Sequence, residues 1–351
     1  MKTNRLFKLQ LATLLLSTLN PQLSTVLAQG SLTPPGAPGP TMKSLDQIEA
    51  RTPISAAPFT ITQPGSYYLT HNLTVSTGDG IDINTNGVTL DLNGFTISST
   101  AASATGNGIL LNSGLRNITI LNGFIQGGVT NNNGIYGGSG FGYGIEYSGN
   151  SPVNVLVSRI SVSGCLYDGI YLNTGNYSTV VESCTVRAVG SYGIYASTIK
   201  SSSATDCGGS AIYGDQVSDC RGQSSGSGYG LYATTALDCY GSSSSGYGLY
   251  AITAENCNGY GNSYGLAATT ALNCYGYSNK GNYGLYTSTA LNCYGYGSGS
   301  GSGLYATYSA TGCYGYSDSG TGLSAFIANV CHGAASLGGT ALSTTHNVNS
   351  Y

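Results

Sequence analysis

The sequence predicts an all-β fold, a right-handed parallel β-helix solenoid of roughly 15 coils with a short N-terminal capping helix. The first reason is an internal repeat, whose clearest copy is Y-G-L-Y-A-T-T-A-L-D-C-Y-G at 229–241. The second residue of this unit recurs every 17 to 19 positions, at Gly193, Ala211, Gly230, Gly248, Gly265, Gly284, Gly303 and Gly322. A period this short excludes helical-hairpin repeats, which need about 33 to 47 residues.

The second reason is the spacing of apolar side chains within each unit. Leu231 and Ala233 flank Tyr232, which is the alternation of a strand with one buried face. The third reason is glycine, which makes up 54 of the 351 residues. Because each glycine inside a helix costs about 1 kcal/mol relative to alanine, so many glycines indicate corners between strands. We therefore expect equivalent strands to pair in parallel and in register, about 4.8 Å apart.

The N-terminal residues 1–28 are predicted to be a secretory signal peptide, with three basic residues, an apolar run at 9–19 and a V-L-A cleavage site. The apolar run is too short to cross a membrane. The remaining predicted segments are a Pro-rich linker with a capping helix at 29–58, the β-helix at 59–345 and a C-terminal tail at 346–351. The mature protein is expected to be secreted, periplasmic or at the cell surface, without a transmembrane segment.

Charge limits the possible partners. Removal of the signal peptide takes away three of the 11 Lys and Arg and none of the 14 Asp and Glu, so the mature chain carries a net charge of −6. Nucleic acid is an unfavourable partner, because binding it depends on Lys and Arg that neutralise phosphates. With only 7% charged residues, the surface must be polar through Ser, Thr, Asn and Tyr.

Two apolar coils carry a family resemblance. Segments 80–97 and 108–125 share a G-I start and a tight Asn-Gly corner, at Asn93-Gly94 and Asn122-Gly123. Together with the leader P-P-G-A-P-G-P-T-M-K-S-L-D-Q-I-E-A-R-T-P-I, this part of the chain resembles the exported bacterial right-handed β-helix repeat proteins of the pectin-lyase-like superfamily. The resemblance covers 41–125 and implies the fold more strongly than an activity, because many such proteins have no assigned activity.

Candidate catalytic residues are few. Polysaccharide cleavage needs paired acids, and Asp79, Asp82 and Asp91 are the nearest cluster, followed by Asp215 and Asp219. The N-T-D, D-D, G-H-G and R-I-K motifs of the polygalacturonases and the R-x-P-x-x-R motif of the pectate lyases are absent. The three histidines are scattered and no C-x-x-C occurs, so neither a metal nor another cofactor is expected.

Ten cysteines recur through the repeats, most of them at close to the period of the repeat itself, and predict a column of stacked side chains. Cys207 breaks the spacing, so 197–203 is expected to lengthen one coil. An oxidising compartment makes disulfides an alternative. Free buried thiols are favoured, because side chains that point into a narrow core do not turn towards each other along the stack. Replacing Cys274 by Ser is then expected to cost about 1 to 3 kcal/mol.

Tyrosine is the most conspicuous excess, with 29 Tyr against 6 Phe and no Trp. Alternation places one tyrosine per coil outside, and the predicted binding residues are Tyr195, Tyr213, Tyr232, Tyr250, Tyr286 and Tyr305. Exposed rings with hydroxyls suit sugars or another protein surface. The alternative is a purely structural ladder, since tyrosine is a good strand residue and like rings stabilise one another. If these tyrosines form a binding surface, they should contribute to ligand contact more than to stability.

These observations predict a non-catalytic, exported β-helix that presents a Tyr, Ser and Asn surface for carbohydrate binding or adhesion. Its partner would be a polysaccharide or a cell-surface glycan. The alternative is a polysaccharide-active enzyme, either a pectate-lyase-like lyase, a hydrolase or an epimerase. A structural component of the cell envelope is the third possibility.

Overall fold

Parallel strands in register build almost the whole described chain. The computed structural model describes residues 49–149, 152–175, 178–336 and 338–351. The predicted signal peptide, most of the linker and nearly all of the capping helix lie outside the described residues. Residues 51–351 form one compact unit, and the first described strand begins at Thr52, inside the range assigned to the linker. In the described part of the chain no helix is long and apolar enough to cross a bilayer.

The strands follow one another closely along the chain. The first eleven are β1 (Thr52–Ile54), β2 (Phe59–Ile61), β3 (Gly65–Leu69), β4 (Leu73–Val75), β5 (Ile81–Ile83), β6 (Val88–Asp91), β7 (Thr96–Ser99), β8 (Asn107–Leu111), β9 (Arg116–Gln126), β10 (Gly128–Asn132) and β11 (Ile135–Ser139). The next eleven are β12 (Tyr143–Tyr147), β13 (Val153–Cys165), β14 (Ile170–Asn173), β15 (Thr179–Glu182), β16 (Thr185–Val189), β17 (Ile194–Lys200), β18 (Ser203–Cys207), β19 (Ile212–Ser218), β20 (Arg221–Ser224), β21 (Leu231–Leu237) and β22 (Tyr240–Ser243). The last eleven are β23 (Tyr247–Glu255), β24 (Asn258–Gly261), β25 (Tyr264–Leu272), β26 (Tyr275–Ser278), β27 (Tyr283–Leu291), β28 (Tyr294–Gly297), β29 (Leu304–Thr311), β30 (Tyr314–Ser317), β31 (Thr321–Asn329), β32 (His332–Ala335) and β33 (Thr340–Val348).

Every strand except β10 and β11 pairs in parallel with its equivalent in a neighbouring coil, which makes the molecule a parallel β-solenoid. One inward position recurs in every coil, at Phe59, Ile81, Ile109, Ile145, Ile170, Ile194, Ile212, Leu231, Leu249, Leu266, Leu285, Leu304, Leu323 and Leu342. Strand β1 adds a partial coil before them. The predicted all-β solenoid of about 15 coils is therefore confirmed. The coils before Ile194 are longer and unequal, whereas those after it are short and nearly constant in length.

From the coil that starts at Ile81 onward, one corner of each coil is made by a single residue in the left-handed backbone conformation, with φ between 45° and 61°. This corner row is Asn93, Asn122, Arg159, Ser183, Ser201, Asp219, Asp238, Asn256, Asn273, Asn292, Gly312, Val330 and Asn349. Asn and Asp predominate because they tolerate this conformation best among residues with a side chain. From Ser183 to Val330 the backbone N–H of the corner residue donates to the next coil, as Asp219 does to the Leu237 carbonyl at 3.1 Å. The corner thus reverses the chain without leaving its N–H unpaired.

The interior becomes smaller along the solenoid. One buried column reads Leu73, Ile97, Ile125, Val162, Val186, Ala204, Gly222, Gly241, Gly259, Gly276, Gly295, Gly315 and Gly333. A second reads Leu90, Ile120, Val157, Val181, Ile199, Val217, Ala236, Ala254, Ala271, Ala290, Ala310 and Ala328. Opposing strands must approach more closely where these side chains are small. A Cβ built on Gly276 would lie 2.1 Å from the Gly284 carbonyl oxygen, so backbone packs directly against backbone there.

The cysteines confirm a buried column of free thiols and correct its register. All ten are free and buried. The column directly after the corner row is Cys184, Ser202, Cys220, Cys239, Cys257, Cys274, Cys293, Cys313, Cys331 and Ser350. Cys165 and Cys207 belong to a different column, on either side of Val189. The expected lengthened coil at 197–203 was therefore wrong, because Ser202 occupies the cysteine position midway between Cys184 and Cys220 and keeps the spacing regular.

Each thiol or hydroxyl of this column donates to the carbonyl two residues earlier, at 2.7 to 3.3 Å. The position therefore needs a small side chain with a donor, and serine meets that need as well as cysteine. Burial raises the pKa of Cys220 to about 12, which keeps its thiol protonated and able to donate.

The irregular segment at 127–149 contains an antiparallel hairpin of β10 and β11, after which β12 returns to the solenoid. The hairpin folds back over later coils. Asn131 Nδ2 and Tyr136 Oη both donate to Asp206 Oδ1, at 2.6 and 2.9 Å. Burial and the hydrogen bond to Asp206 raise the pKa of Tyr136. These hydrogen bonds fasten the hairpin to the outside of the solenoid.

Candidate functional site: an acidic and aromatic step

Two exterior columns run along the first strand of each coil. Column A is Asp82, Leu110, Glu146, Tyr171, Tyr195, Tyr213, Tyr232, Tyr250, Ala267, Tyr286, Tyr305, Ser324 and Ser343. Column B lies three residues earlier in each coil, at Asp79, Asn107, Tyr143, Asp168, Tyr192, Ser210, Tyr229, Tyr247, Tyr264, Tyr283, Ser302, Thr321 and Thr340. The six tyrosines predicted to bind are all in column A and are half-buried, while the Leu or Ile before each is buried.

The column A rings stack on one another. Ring centroids are 4.3 Å apart between Tyr213 and Tyr232 and 5.1 Å between Tyr232 and Tyr250, with an interplanar angle of 8° in both pairs. Tyr286 and Tyr305 are 5.6 Å apart at 2°. Since each ring covers the faces of its neighbours, an inner ring offers solvent its edge and hydroxyl. In the middle of column A, therefore, no ring face is open for a sugar to pack on.

Ala267 interrupts the tyrosines of column A, but the position leaves no cleft between the neighbouring rings. The alanine is only 3% exposed. Tyr264 of column B lies beside it, stacked on Tyr247 at 4.4 Å and edge-on to Tyr286 at 5.9 Å. The tyrosine surface is therefore continuous across the gap.

At the two ends of column A the terminal tyrosines have a stacked ring on one side only. Tyr171 stacks on Tyr195 at 4.9 Å and 18°, and its register partner on the other side is Glu146. At the far end, Tyr305 has Ser324 as its next partner. Among the described residues no ring stacks on the outer face of either tyrosine. Of these two ends, only the one at Tyr171 adjoins carboxylates.

Four acids lie on the Tyr171 side of columns A and B: Glu146 and Asp168 adjoin Tyr171, whereas Asp79 and Asp82 lie three coils away, or about 14 Å at the spacing of parallel strands. Burial, then the Asp79 carboxylate, raises the pKa of Asp82. Burial, then Asp168 and Asp79, raises the pKa of Glu146. Burial also raises the pKa of Asp168. No Arg or Lys contributes to these three pKa values, so the cluster is a negatively charged patch without a counter-ion among the described residues.

Hydrogen bonds hold three of the four acids in place. Asp79 Oδ1 accepts from the backbone N–H and the side-chain amide of Asn107, at 2.7 and 2.9 Å. Asn112 Nδ2 donates to Asp82 Oδ1. Asp168 Oδ1 accepts from the backbone N–H of Tyr192 at 2.8 Å. Glu146 is the exception among the four acids, since its carboxylate makes no hydrogen bond among the described residues.

The predicted catalytic acids separate into two places. Asp79 and Asp82 are in the cluster, whereas Asp91 lies on another strand and pairs with Arg51 at 3.0 Å. Asp215 accepts from the backbone N–H of Gly175 at 2.9 Å. Asp219 stands in the corner row.

Sequence reasoning missed Glu146, Asp168 and Tyr171. A signal was present, because Gly80-Ile81-Asp82, Gly144-Ile145-Glu146 and Gly169-Ile170-Tyr171 repeat the G-I-x unit that starts each coil. This repeat was not recognised because its copies are unequally spaced along the chain. Their isoleucines, which are register partners in successive coils, are Ile81, Ile109, Ile145 and Ile170.

The arrangement combines two features that sugars use. A free aromatic face packs on the apolar face of a pyranose ring, and carboxylates accept hydrogen bonds from neighbouring hydroxyls. Asp82 and Glu146 lie two coils apart in column A, or about 9.6 Å at the spacing of parallel strands. Within the described residues no group of three or more His, Cys, Asp or Glu is arranged to hold a metal ion.

Comparison with known proteins adds little. No family model and no curated protein matches the chain. Among solved structures, the A-module of the mannuronan C-5 epimerase AlgE6 from Azotobacter vinelandii is similar over 86% of this chain and 90% of that one, at 12% identity and a TM-score of 0.37. A TM-score this low carries no argument about activity or substrate.

Proposed function

We propose that this protein is a non-catalytic, exported glycan-binding solenoid. Its binding site, here called the step at Tyr171, consists of the Tyr171 ring and the carboxylates of Glu146, Asp168, Asp79 and Asp82. The observation that carries the proposal is the outer side of the Tyr171 ring, on which no other ring stacks among the described residues and which has Glu146 as its register neighbour. Export follows from the predicted signal peptide at 1–28.

The charge of the step defines the glycan class. Four carboxylates repel uronates and sulfated sugars, so the ligand is a neutral glycan. The hydroxyls of such a ligand replace water around Glu146 and Asp82, whose raised pKa values reflect their partial burial. Neutral hydroxyl donors satisfy these carboxylates without requiring a cation.

Calorimetry with cellobiose, mannobiose and xylobiose, and with polygalacturonate as the anionic probe, tests the proposal. Tyr171→Ala should weaken binding of the preferred neutral disaccharide by about tenfold or more, the loss expected for an aromatic contact of about 1 to 2 kcal/mol. Tyr213→Ala is the matched control, because both faces of Tyr213 are covered by rings. Equal affinity in the Tyr171 variant and the parent would contradict the proposal, as would preferred binding of polygalacturonate.

Inverting glycoside hydrolysis is the second candidate, because Asp82 and Glu146 lie on one face, two coils apart, with a backbone spacing of about 9.6 Å. Inversion needs two carboxyl groups about 6.5 to 9.5 Å apart, with a water between the base and the sugar. Glu146, with its raised pKa, would be the general acid and Asp82 the base. Reducing-sugar release from the bound glycan should then fall as pH rises through the raised pKa of Glu146, and Glu146→Gln should abolish it. Elimination is less favoured, because no Arg or Lys contributes to the pKa of these acids.

A further inference from the structure

A long groove lies on a different side of the solenoid, along the corner row. Two adjoining cavities of about 330 and 720 Å³ share Ser183 and Thr185 and so form one channel, here called the corner groove. Its walls are the corner row from Asn122 to Asn256 and the row of residues two positions later. The second wall consists of Phe124, Ser161, Thr185, Ser203, Arg221, Tyr240 and Asn258, which are successive register partners. Seven coils in register give a length of about 29 Å.

The groove exists because the corner residue and the residue two positions later point outward on either side of an inward side chain. Gly123, Ile160, Cys184, Ser202, Cys220 and Cys239 form its floor. These floor side chains are small or turned into the core, so the channel is not filled from below. Every coil therefore adds one pair of outward side chains to a channel that runs parallel to the solenoid axis.

The lining has balanced charge and many hydroxyl and amide groups. Its charged side chains are Arg159 and Arg221 against Asp219 and Asp238. Arg159 Nε donates to Asn122 Oδ1 at 2.6 Å, and the Arg221 guanidinium lies 5.0 Å from the Tyr240 ring centroid. A net charge of zero disfavours both polyanions and polycations.

Strand addition cannot occupy this channel. The backbone N–H groups along it already donate to neighbouring coils, as Arg221 does to the Ser202 carbonyl at 3.0 Å and Tyr240 to the Cys220 carbonyl at 2.9 Å. An extended peptide would find no free backbone ladder to join. The groove offers side-chain hydroxyls, amides, carboxylates and guanidinium groups, which suit a chain rich in hydroxyls.

One end of the groove carries an aromatic platform. Phe124 is 49% exposed, and its register partners are the small residues Thr96 and Ser161. Both faces of this ring are therefore open to a sugar, in contrast to the inner tyrosines of column A. No ring contact of Phe124 is present in the described part of the chain.

We infer that the corner groove binds an extended neutral polysaccharide lengthwise along the solenoid axis. This site is separate from the step at Tyr171 and needs a long ligand, because its polar groups are spread over seven coils. A disaccharide contacts one or two pairs of side chains, whereas a hexasaccharide contacts most of them.

The test compares cellohexaose, mannohexaose and xylohexaose with their disaccharides by calorimetry on the full chain. The hexasaccharide of the preferred sugar should bind at least about tenfold more tightly than its disaccharide, since it adds several hydrogen bonds to side chains. Ser203→Tyr should remove this gain, because a ring at this position narrows the middle of the groove and removes the Ser203 hydroxyl as a hydrogen-bonding group. The fold tolerates the change, because Tyr240, Tyr275, Tyr294 and Tyr314 occupy the same column.

Ser242→Tyr is the matched control. It places the same side chain on the same sheet, in a column that already holds Tyr260, Tyr277, Tyr296 and Tyr316, but outside the groove. A second variant, Asp219→Asn with Asp238→Asn, keeps residues that the corner conformation accepts and should reduce the gain by about fivefold. Tyr171→Ala should leave the gain intact.

The inference would be overturned by no gain with chain length, by a gain that survives Ser203→Tyr, or by a gain that disappears in Tyr171→Ala. The last of these would assign long ligands to the step at Tyr171 and leave the proposed function standing. Preferred binding of polygalacturonate in the groove would also overturn it.

Discussion

The first coils and the last coils of this solenoid share one backbone plan and differ in what fills them. Up to Val186 the interior is Leu, Ile and Val, whereas from Gly222 onward the same columns hold Gly and Ala. The exterior changes in the opposite sense. Stacked tyrosine pairs begin with Tyr171 and Tyr195 and continue through four columns of the later coils.

This contrast indicates where each half obtains its cohesion. In the early coils, buried branched side chains supply it through the hydrophobic effect. In the late coils, glycine lets the opposing backbones touch, so little side-chain area remains to be buried inside. Ring stacking outside, worth about 0.5 to 1.5 kcal/mol for each pair beyond its buried area, replaces part of what the interior has lost. The shorter coils and the tyrosine ladders are thus two consequences of one change in sequence.

Gly276→Ala should have the largest effect, because it disrupts the interior glycine column of the late coils, where backbone packs directly against backbone. Its Cβ would meet the Gly284 carbonyl oxygen at 2.1 Å, and neither backbone can move without disturbing the coils on both sides. We expect a loss of about 4 kcal/mol or more in denaturant unfolding, or failure to fold. Gly137→Ala is the control, since a Cβ there meets nothing within 4 Å. A tolerated Gly276→Ala would mean that the sheets are farther apart than described.

Ile120→Ala and Ala290→Gly compare the two interiors within one column. Ile120 is fully buried among branched side chains, so truncation should cost about 3 kcal/mol by leaving a cavity. Ala290→Gly in the late coils should cost only about 1 kcal/mol. Denaturant unfolding of the two variants measures the two losses in unfolding free energy and so the ratio between them. Equal losses would show that the late interior carries as much stability as the early one.

Alkaline pH should unfold the late coils first. Burial, then the neighbouring Tyr232, raises the pKa of Tyr213 to about 12, and burial, then Asp318, raises that of Tyr296 to about 12. A phenol with a raised pKa contributes stability that is complete below its ordinary pKa of 10.0 and is lost as pH rises through 12. Phenolate absorbance and circular dichroism should therefore change together between about pH 10 and 12. Ionisation near pH 10 with the fold intact would contradict the stacked geometry.

Cys274→Ser should have the smallest effect. The sequence alone suggested a cost of about 1 to 3 kcal/mol for a buried hydroxyl without a partner. The structure supplies a partner, because Ser202 and Ser350 occupy the same column and donate to the carbonyl two residues earlier. We now expect less than about 1 kcal/mol. Cys274→Ala, which removes the donor, should cost more than Cys274→Ser in the same unfolding experiment.

The regular repeat made the fold readable from the sequence, and irregular coils hid the site. Leu231 and its equivalents recur at a nearly constant spacing, so strand and exposed tyrosine could each be assigned from alternation. Glycine was expected to mark the corners, but the corner row is held mainly by Asn and Asp, and glycine fills an interior column instead. Glu146 was missed because a hairpin insertion makes the coil before it the longest of the early ones. Ring orientation also lay beyond the sequence. Alternation places Tyr232 outside but does not show that its faces are covered by Tyr213 and Tyr250.

The central claim is that the inner tyrosines hold the late coils together. The most direct test is hydrogen exchange, followed by mass spectrometry, on a variant with Tyr232, Tyr250 and Tyr286 all replaced by Ser. The sequence suggested only a modest effect on stability, whereas the stacking predicts a loss of several stacked contacts. Amides of β21 to β27 should exchange about tenfold faster or more, while those of β5 to β9 keep the parent rate. Unchanged exchange in β21 to β27 would contradict the account and leave the backbone contacts of the glycine column as the sole source of cohesion there.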